Sequence, residues 1–148
     1  MTQGPPDGPL AFETGTAFLL ARAGSMARRS WARMLADREL TPHHHAALMA
    51  LAELGPTGQQ QLSGVIGIDP RNVVPMIDLL VERELLVRQV DPGDRRRRVL
   101  ALAPAGHAMV ADLTATGGAL ERDLLGVLNP AEQDHLRRML VALLAGRS

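Results

Sequence analysis

Apolar residues recur at steps of three and four along most of the chain, the spacing that places them on one face of an α-helix. The pattern changes near the middle, where two short runs rich in leucine, valine and arginine flank a turn sequence. The predicted helices cover residues 12–37, 42–54, 58–66, 70–84, 104–128 and 129–146, and the predicted strands cover 85–90 and 97–102. This order predicts a mainly α protein with one small β-hairpin.

Short capping sequences mark where several helices begin. Thr41-Pro42, Asp69-Pro70 and Asn129-Pro130 each place an N-cap side chain before a proline, which is favoured at the first helical position. Glu132 lies three residues after Asn129 and can complete a capping box. Thr57 is predicted to cap the third helix in the same way.

The apolar stripes predict which side chains face the core. The third and fourth helices are expected to bury Leu62, Val65, Ile66, Val73, Ile77, Leu80 and Val81. The last helix carries a further stripe, formed by Leu136, Met139, Leu140, Leu143 and Leu144. A stripe of this kind needs a partner surface, and a two-fold dimer is the commonest way to supply one.

The hairpin between the fourth and fifth helices is strongly basic. Its turn, Asp91–Asp94, reads Asp-Pro-Gly-Asp, in which proline presets φ and glycine accepts unusual dihedral angles. Five arginines and two acids lie from Arg88 to Arg98, a local net charge of +3 (five minus two). Two short helices followed by such a hairpin form a winged helix-turn-helix. A solvated charge run is the alternative interpretation of the arginines.

Composition narrows the class of protein further. The 148 residues suffice for one domain, predicted at 11–148 after a disordered leader at 1–10. The absence of cysteine excludes disulfides, thiolate zinc sites and cysteine-based redox sensing. No apolar run is long enough to cross a membrane, and the N-terminus lacks the features of a signal peptide, so a cytoplasmic location is expected.

The placement of the arginines, not their number, supports DNA binding, because the formal net charge is zero. The first residues of the second helix in a helix-turn-helix face base edges, where arginine can pair with guanine, asparagine with adenine, and valine with the thymine methyl group. The expected contacts from that helix are Arg71, Asn72, Val74 and Pro75, and those from the wing are Arg95, Arg96 and Arg98. Asp94 is expected to orient a wing arginine.

Several of these motifs together resemble one family. The segment Asp91–Arg96 is similar to the D-x-R-R wing signature of the MarR family, and Leu102–Gly106 is similar to its L-T-P-x-G entry into a long helix. Leu128–Glu132 resembles the start of its final helix. The resemblance covers residues 12–144 in the expected order, and it is carried mainly by the wing and the segment that follows it.

The resemblance implies an obligate homodimer that represses nearby genes from a palindromic operator. The terminal segments, 11–38 and 104–146, would interlock as dimerisation helices, and 40–102 would form the winged helix-turn-helix. A small lipophilic or aromatic effector would release the DNA. By analogy with the family, Phe18, Trp31 and His45 are expected at its pocket, and no cofactor is expected.

The chain also departs from the family pattern. Pro75 lies inside the recognition helix, where it removes the amide that would bond to the Arg71 carbonyl and is expected to bend the helix. Glu84 stands where a glycine often ends that helix, so the turn is expected to close differently. Gly117-Gly118 is expected to loosen the long fifth helix.

Other functions have weaker support. Three successive helical histidines, His43 to His45, point about 100° apart and cannot all bind one metal ion. The chain lacks a nucleophile motif and a glycine-rich phosphate loop, so an enzyme is not expected. The second hypothesis is a winged helix that binds protein or a small molecule and has lost DNA binding, which Pro75 and the zero net charge favour.

Overall fold

A computed structural model describes Gly8 and residues 10–146 of the chain. A 3-10 turn at Ala11–Thr14 precedes α1, and Gly15 separates the two, where a single helix was predicted. The elements are α1 (Thr16–Ala36), α2 (Pro42–Leu54), α3 (Gln59–Ile66), α4 (Pro70–Glu82), β1 (Leu86–Asp91), β2 (Asp94–Leu102), α5 (Pro104–Leu125) and α6 (Pro130–Ala145). The prediction of a mainly α winged fold is confirmed. Most of the proposed leader lies outside the described residues.

Three of the four predicted N-caps are present. The Thr41 hydroxyl accepts a hydrogen bond from the His44 amide, at 3.3 Å, and Asp69 accepts one from the Arg71 amide, at 2.8 Å. Asn129 and Glu132 form the reciprocal bonds of a capping box, at 3.0 and 2.8 Å. The helices α2, α4 and α6 therefore begin where their capping residues predicted.

The prediction for Thr57 is wrong. Its backbone pairs with Leu100 of β2 through two hydrogen bonds of 2.9 and 2.8 Å, and its hydroxyl donates to the Gly55 carbonyl. Gly58 is therefore the N-cap of α3 and offers no capping side chain. The pairing attaches the wing to the segment that leads into α3.

The chain forms two compact units, one through Val110 and the other from Ala111 onward. In the first, the largest fully buried side chains include Leu48, Leu62, Ile77, Leu80 and Leu86. The prediction for Val65 is wrong, since 56% of this residue is exposed. Ser63 is buried instead, and its hydroxyl is satisfied by the Ile68 carbonyl at 2.7 Å.

The wing is an antiparallel pair in which Leu86 lies opposite Leu102. The second strand begins at Asp94, three residues before the predicted start at Arg97, so only Pro92 and Gly93 connect the strands. The pairs Val90–Arg98 and Asp91–Asp94 enclose an irregular register, in which Arg95, Arg96 and Arg97 have no partner on β1. The sequence pattern did not indicate that β2 would include this arginine run. Arg95 and Arg96 consequently lie on a strand beside the turn.

The turn after α4 closes through a left-handed residue. Glu84 has φ of +58°, the region that glycine favours, so the expectation that glutamate would close this turn differently is wrong. An L-residue with a side chain adopts this conformation at a cost of about 1 kcal/mol or more. The turn therefore stores strain that the fold tolerates.

Glu84→Gly is expected to raise the free energy of unfolding by about 1 kcal/mol, because glycine adopts positive φ without the Cβ clash. Urea titrations at one fixed protein concentration would measure the change. Glu82→Gly is the matched control: Glu82 is the last residue of α4, and glycine there is expected to lower stability by up to about 1 kcal/mol. Equal losses of unfolding free energy in the two variants would contradict backbone strain at Glu84.

The second unit contains most of α5 and all of α6. The helix α5 continues without interruption through Gly117 and Gly118, so the expected loosening does not break it. Gln133 donates its side-chain amide to the carbonyls of Leu125 and Leu128, at 3.1 and 2.9 Å, which ties the start of α6 to the end of α5. In α6 no described residue is buried. No helix of the described chain is long and apolar enough to span a membrane.

Candidate DNA-binding site

The helices α3 and α4 form the helix-turn-helix. Gly67 ends α3 with φ of +68°, and Asp69 then begins α4. Four side chains of α4 face the core, namely Val73, Met76, Ile77 and Leu80. Met76 was not expected there, and Val81 is only half-buried. The four residues predicted to face DNA are all exposed, namely Arg71, Asn72, Val74 and Pro75.

Arg71 is held by the residue that caps its own helix. The Asp69 carboxylate accepts hydrogen bonds from Nε and Nη2 of Arg71, at 3.1 and 2.9 Å, besides the bond from the Arg71 amide. These bonds, those of the guanidinium first, hold the pKa of Asp69 below its usual value. The Arg71 side chain is 88% exposed, and its hydrogen bonds to Asp69 are what constrain it.

Pro75 occurs in the second turn of α4. The helix nevertheless continues from Pro70 to Glu82 as one element. Because proline has no amide hydrogen, the Arg71 carbonyl loses its donor within the helix. That carbonyl lies on the same exposed end of α4 as the predicted base contacts.

The arginines of the wing are exposed from Arg95 to Arg98. Arg98 lies opposite Val90, whereas Arg95, Arg96 and Arg97 fall in the irregular part of the hairpin, where the regular alternation of side chains is interrupted. Nε of Arg97 lies 3.9 Å from an oxygen of Asp91. Asp94 accepts a hydrogen bond from the Arg96 amide, at 3.0 Å, and so holds the backbone of the wing at this arginine.

The hairpin is tied to α4 by an ion pair. Nη2 of Arg88 lies 2.5 Å from Oδ1 of Asp78, and both side chains are about half-exposed. Arg88 was counted within the basic wing, but in the structure its charge is partly balanced by α4. Arg88 therefore adds less positive charge to the wing than its count in the sequence indicates.

Arg83, which the sequence pattern did not indicate, connects the end of α4 to the turn between α1 and α2. Its guanidinium donates to the carbonyls of Glu39 and Arg38, at 2.8 and 3.0 Å. Burial, then the charge of Arg83, and then His43 lower the pKa of His44. A lowered pKa favours the neutral ring. Nδ1 of this ring accepts a hydrogen bond from the Thr41 amide, at 3.1 Å. No local pattern could have indicated a contact across more than forty residues.

A second candidate site lies between α1 and α2. The rings of Trp31 and His45 are 5.3 Å apart, centroid to centroid, and line a surface pocket of about 370 Å³ with Arg28 and Leu35. Within one chain, Phe18 does not reach this pocket. It packs edge-on against Phe12 at 5.4 Å, thirteen residues and thus about 20 Å from Trp31 along α1.

The three histidines of α2 do not form a metal cluster. His44 is buried and caps the helix, His45 contacts Trp31, and His43 is exposed. Among the residues that the structure describes, no three His, Asp or Glu side chains are grouped to hold a metal ion. The arrangement instead gives each histidine a different environment.

A helix-turn-helix with an exposed reading end and a basic wing defines a DNA-binding protein of the winged-helix class. The MarR family model matches residues 40–97, which span the helix-turn-helix and most of the wing. A protein of Thauera aromatica assigned to transcriptional regulation of the hcr operon is 30% identical over 137 residues, which cover 92% of this chain and 81% of that protein. The chain belongs to the MarR family and is a DNA-binding transcriptional regulator; MarR proteins are dimers.

Two solved structures show the same fold. BpsR of Bordetella bronchiseptica, whose DNA binding is regulated by 6-hydroxynicotinic acid, is 29% identical with a TM-score of 0.69, over 92% of this chain and 97% of that one. CouR of Rhodococcus jostii RHA1, solved on a 23-mer DNA duplex, is 28% identical with a TM-score of 0.72, over 90% and 94%. The similarity therefore extends well beyond the helix-turn-helix.

Proposed function

We propose that this regulator is a cytoplasmic, ligand-responsive repressor that binds a palindromic operator as a homodimer and catalyses no reaction. The observation that carries the proposal is the exposed first turn of α4 beside a basic hairpin that an ion pair ties to α4. This arrangement presents a reading end and a phosphate-binding strand together. Its chemistry suits a DNA duplex better than a small substrate.

The residues of α4 would read bases and those of the wing would bind the backbone. Arg71 would pair with guanine and Asn72 with adenine, while Val74 and Pro75 would offer apolar contacts. Arg95, Arg96 and Arg98 would neutralise phosphates or enter the minor groove. Asp94 would support this contact by holding the Arg96 backbone.

The terminal helices are suited to the dimer interface. The helix α1 buries only Met34 and Leu35, and α6 exposes Leu143 and Leu144 by 47 and 70%. Apolar surface left open on both terminal helices supports the proposal that segments 11–38 and 104–146 interlock between protomers. The two winged helices would then meet the two halves of the operator.

The effector is proposed to be a small aromatic molecule that binds beside Trp31 and His45. Their rings form an apolar, aromatic wall, and Arg28 adds a positive charge at the same pocket. BpsR responds to 6-hydroxynicotinic acid, and CouR has been solved with p-coumaroyl-CoA, two ligands with aromatic rings. The pocket could be probed directly, because Trp31 is the only tryptophan of the chain and its fluorescence would report an aromatic ligand.

Binding of the purified protein to the intergenic DNA upstream of its own gene tests the proposal. A mobility shift at two salt concentrations, with a scrambled duplex as competitor, is expected to show tight, salt-sensitive binding to a short palindrome. Aromatic acids that quench Trp31 fluorescence are expected to release the DNA. A stable dimer without specific binding would contradict the proposal and favour a winged helix that has lost DNA binding, for which Pro75 inside α4 would be the reason.

A further inference from the structure

The Asp69 carboxylate binds Arg71 in a geometry that capping alone does not need. A capping side chain accepts one amide hydrogen bond, which Asp69 does at 2.8 Å. Here both carboxylate oxygens also accept from the side chain, Oδ1 from Nε at 3.1 Å and Oδ2 from Nη2 at 2.9 Å. The carboxylate thus occupies the side edge of the guanidinium.

This contact leaves the end edge of Arg71 available. A guanidinium carries five N–H groups in one plane, and the side-edge pair uses the Nε hydrogen and one Nη2 hydrogen. The second hydrogen of Nη2 and one hydrogen of Nη1 form the end-edge fork, which fits O6 and N7 of guanine. Since the side chain is 88% exposed, this fork is accessible from solvent at the first turn of α4.

A free arginine at such an exposed position would sample many rotamers, and ordering it on DNA would cost conformational entropy. The carboxylate removes part of that cost before DNA arrives. It also places a negative charge near phosphates, which weakens binding to any sequence. The same residue therefore has opposite effects on base discrimination and on general affinity.

We propose that Asp69 is a positioning residue for sequence readout, which orients the guanidinium of Arg71 so that it discriminates in favour of guanine at one position of each operator half-site. The proposal rests on the proposed function, in which Arg71 meets a base. A purely capping role for Asp69 predicts something different, because asparagine caps a helix as well as aspartate does.

The test replaces Asp69 with asparagine, which keeps the cap but cannot accept both guanidinium bonds. Dissociation constants are measured for the operator, for operators with each base pair changed in turn, and for a scrambled duplex. Asp69→Asn is expected to reduce discrimination at the guanine by about tenfold and to strengthen binding to the scrambled duplex. Glu53→Gln, on the exposed surface of α2, makes the same change of charge and is expected to leave discrimination intact.

Arg71→Lys keeps the charge but removes the fork, and it identifies the base pair that Arg71 reads. If this variant loses discrimination at one base pair while Asp69→Asn retains it, Asp69 is only a cap and the inference is overturned. If the wild-type protein shows no preference for the operator, the proposed function fails, and the inference fails with it. If Arg71→Lys loses no discrimination at any base pair, Arg71 does not read a base, and the inference is overturned. Thermal unfolding of each variant, with Asp69→Ser as a second cap-retaining change, separates loss of fold from loss of readout.

Discussion

Replacement of Arg95 and Arg96 together by alanine is expected to weaken binding to every DNA sequence, operator and scrambled alike, by about a hundredfold or more at moderate salt. The dimer would lose four positive charges (two in each protomer) from the exposed strand of the wing. Each phosphate contact contributes about 0.9 to the slope of log affinity against log salt. The slope is therefore expected to fall by up to about 4, with base discrimination retained.

The matched control removes the same charge from α6 instead of from the wing. Arg137 and Arg138 are exposed on α6, where both pair with Asp134 at 2.5 Å. Their double replacement by alanine is expected to leave the salt slope close to that of wild type. An unchanged slope in the wing variant, or an equal fall in both variants, would show that the wing does not bind the phosphates.

Leu143→Glu is expected to convert the dimer to a monomer and to reduce operator affinity at least a hundredfold. Leu143 is 47% exposed and belongs to the apolar stripe of α6, together with Leu140 and Met139. A charge at the centre of a buried interface loses hydration without a partner, so the interface should not form. A monomer would bind one half-site and lose the gain in affinity that comes from engaging two sites at once.

Val141→Glu controls for the introduced charge. Val141 is 61% exposed, but it lies more than 120° around α6 from the centre of the stripe. This variant is expected to remain dimeric and to bind the operator. Sedimentation of both variants gives their mass, and a mobility shift gives their affinity. A dimeric Leu143→Glu would show that α6 does not form the interface proposed for it.

The helix boundaries illustrate what could be predicted. Thr41, Asp69 and Asn129 cap their helices as expected, because a cap depends on residues within three positions of each other. Thr57 has the same capping chemistry, yet it pairs with Leu100, more than forty residues away. A competing partner of that kind cannot be recognised from local sequence.

The candidate site shows the same division. The outward direction of Arg71 and Asn72 followed from helical spacing, since Val73 and Ile77 were needed for the core. The ion pair from Arg88 to Asp78 and the hydrogen bonds of Arg83 to the turn before α2 were not predictable. Those contacts depend on how the wing and the α1–α2 turn pack against α4.

The sequence by itself determined the order of helices and strands, most of the helix starts and the exposed basic character of the wing. These follow from periodicity, capping and charge, which act between residues close together in the chain. Only the tertiary structure decided the start of β2, the burial of Ser63 in place of Val65 and the left-handed turn at Glu84. Each of these depends on packing between distant segments, where a backbone or side chain takes the contact that the whole fold makes available.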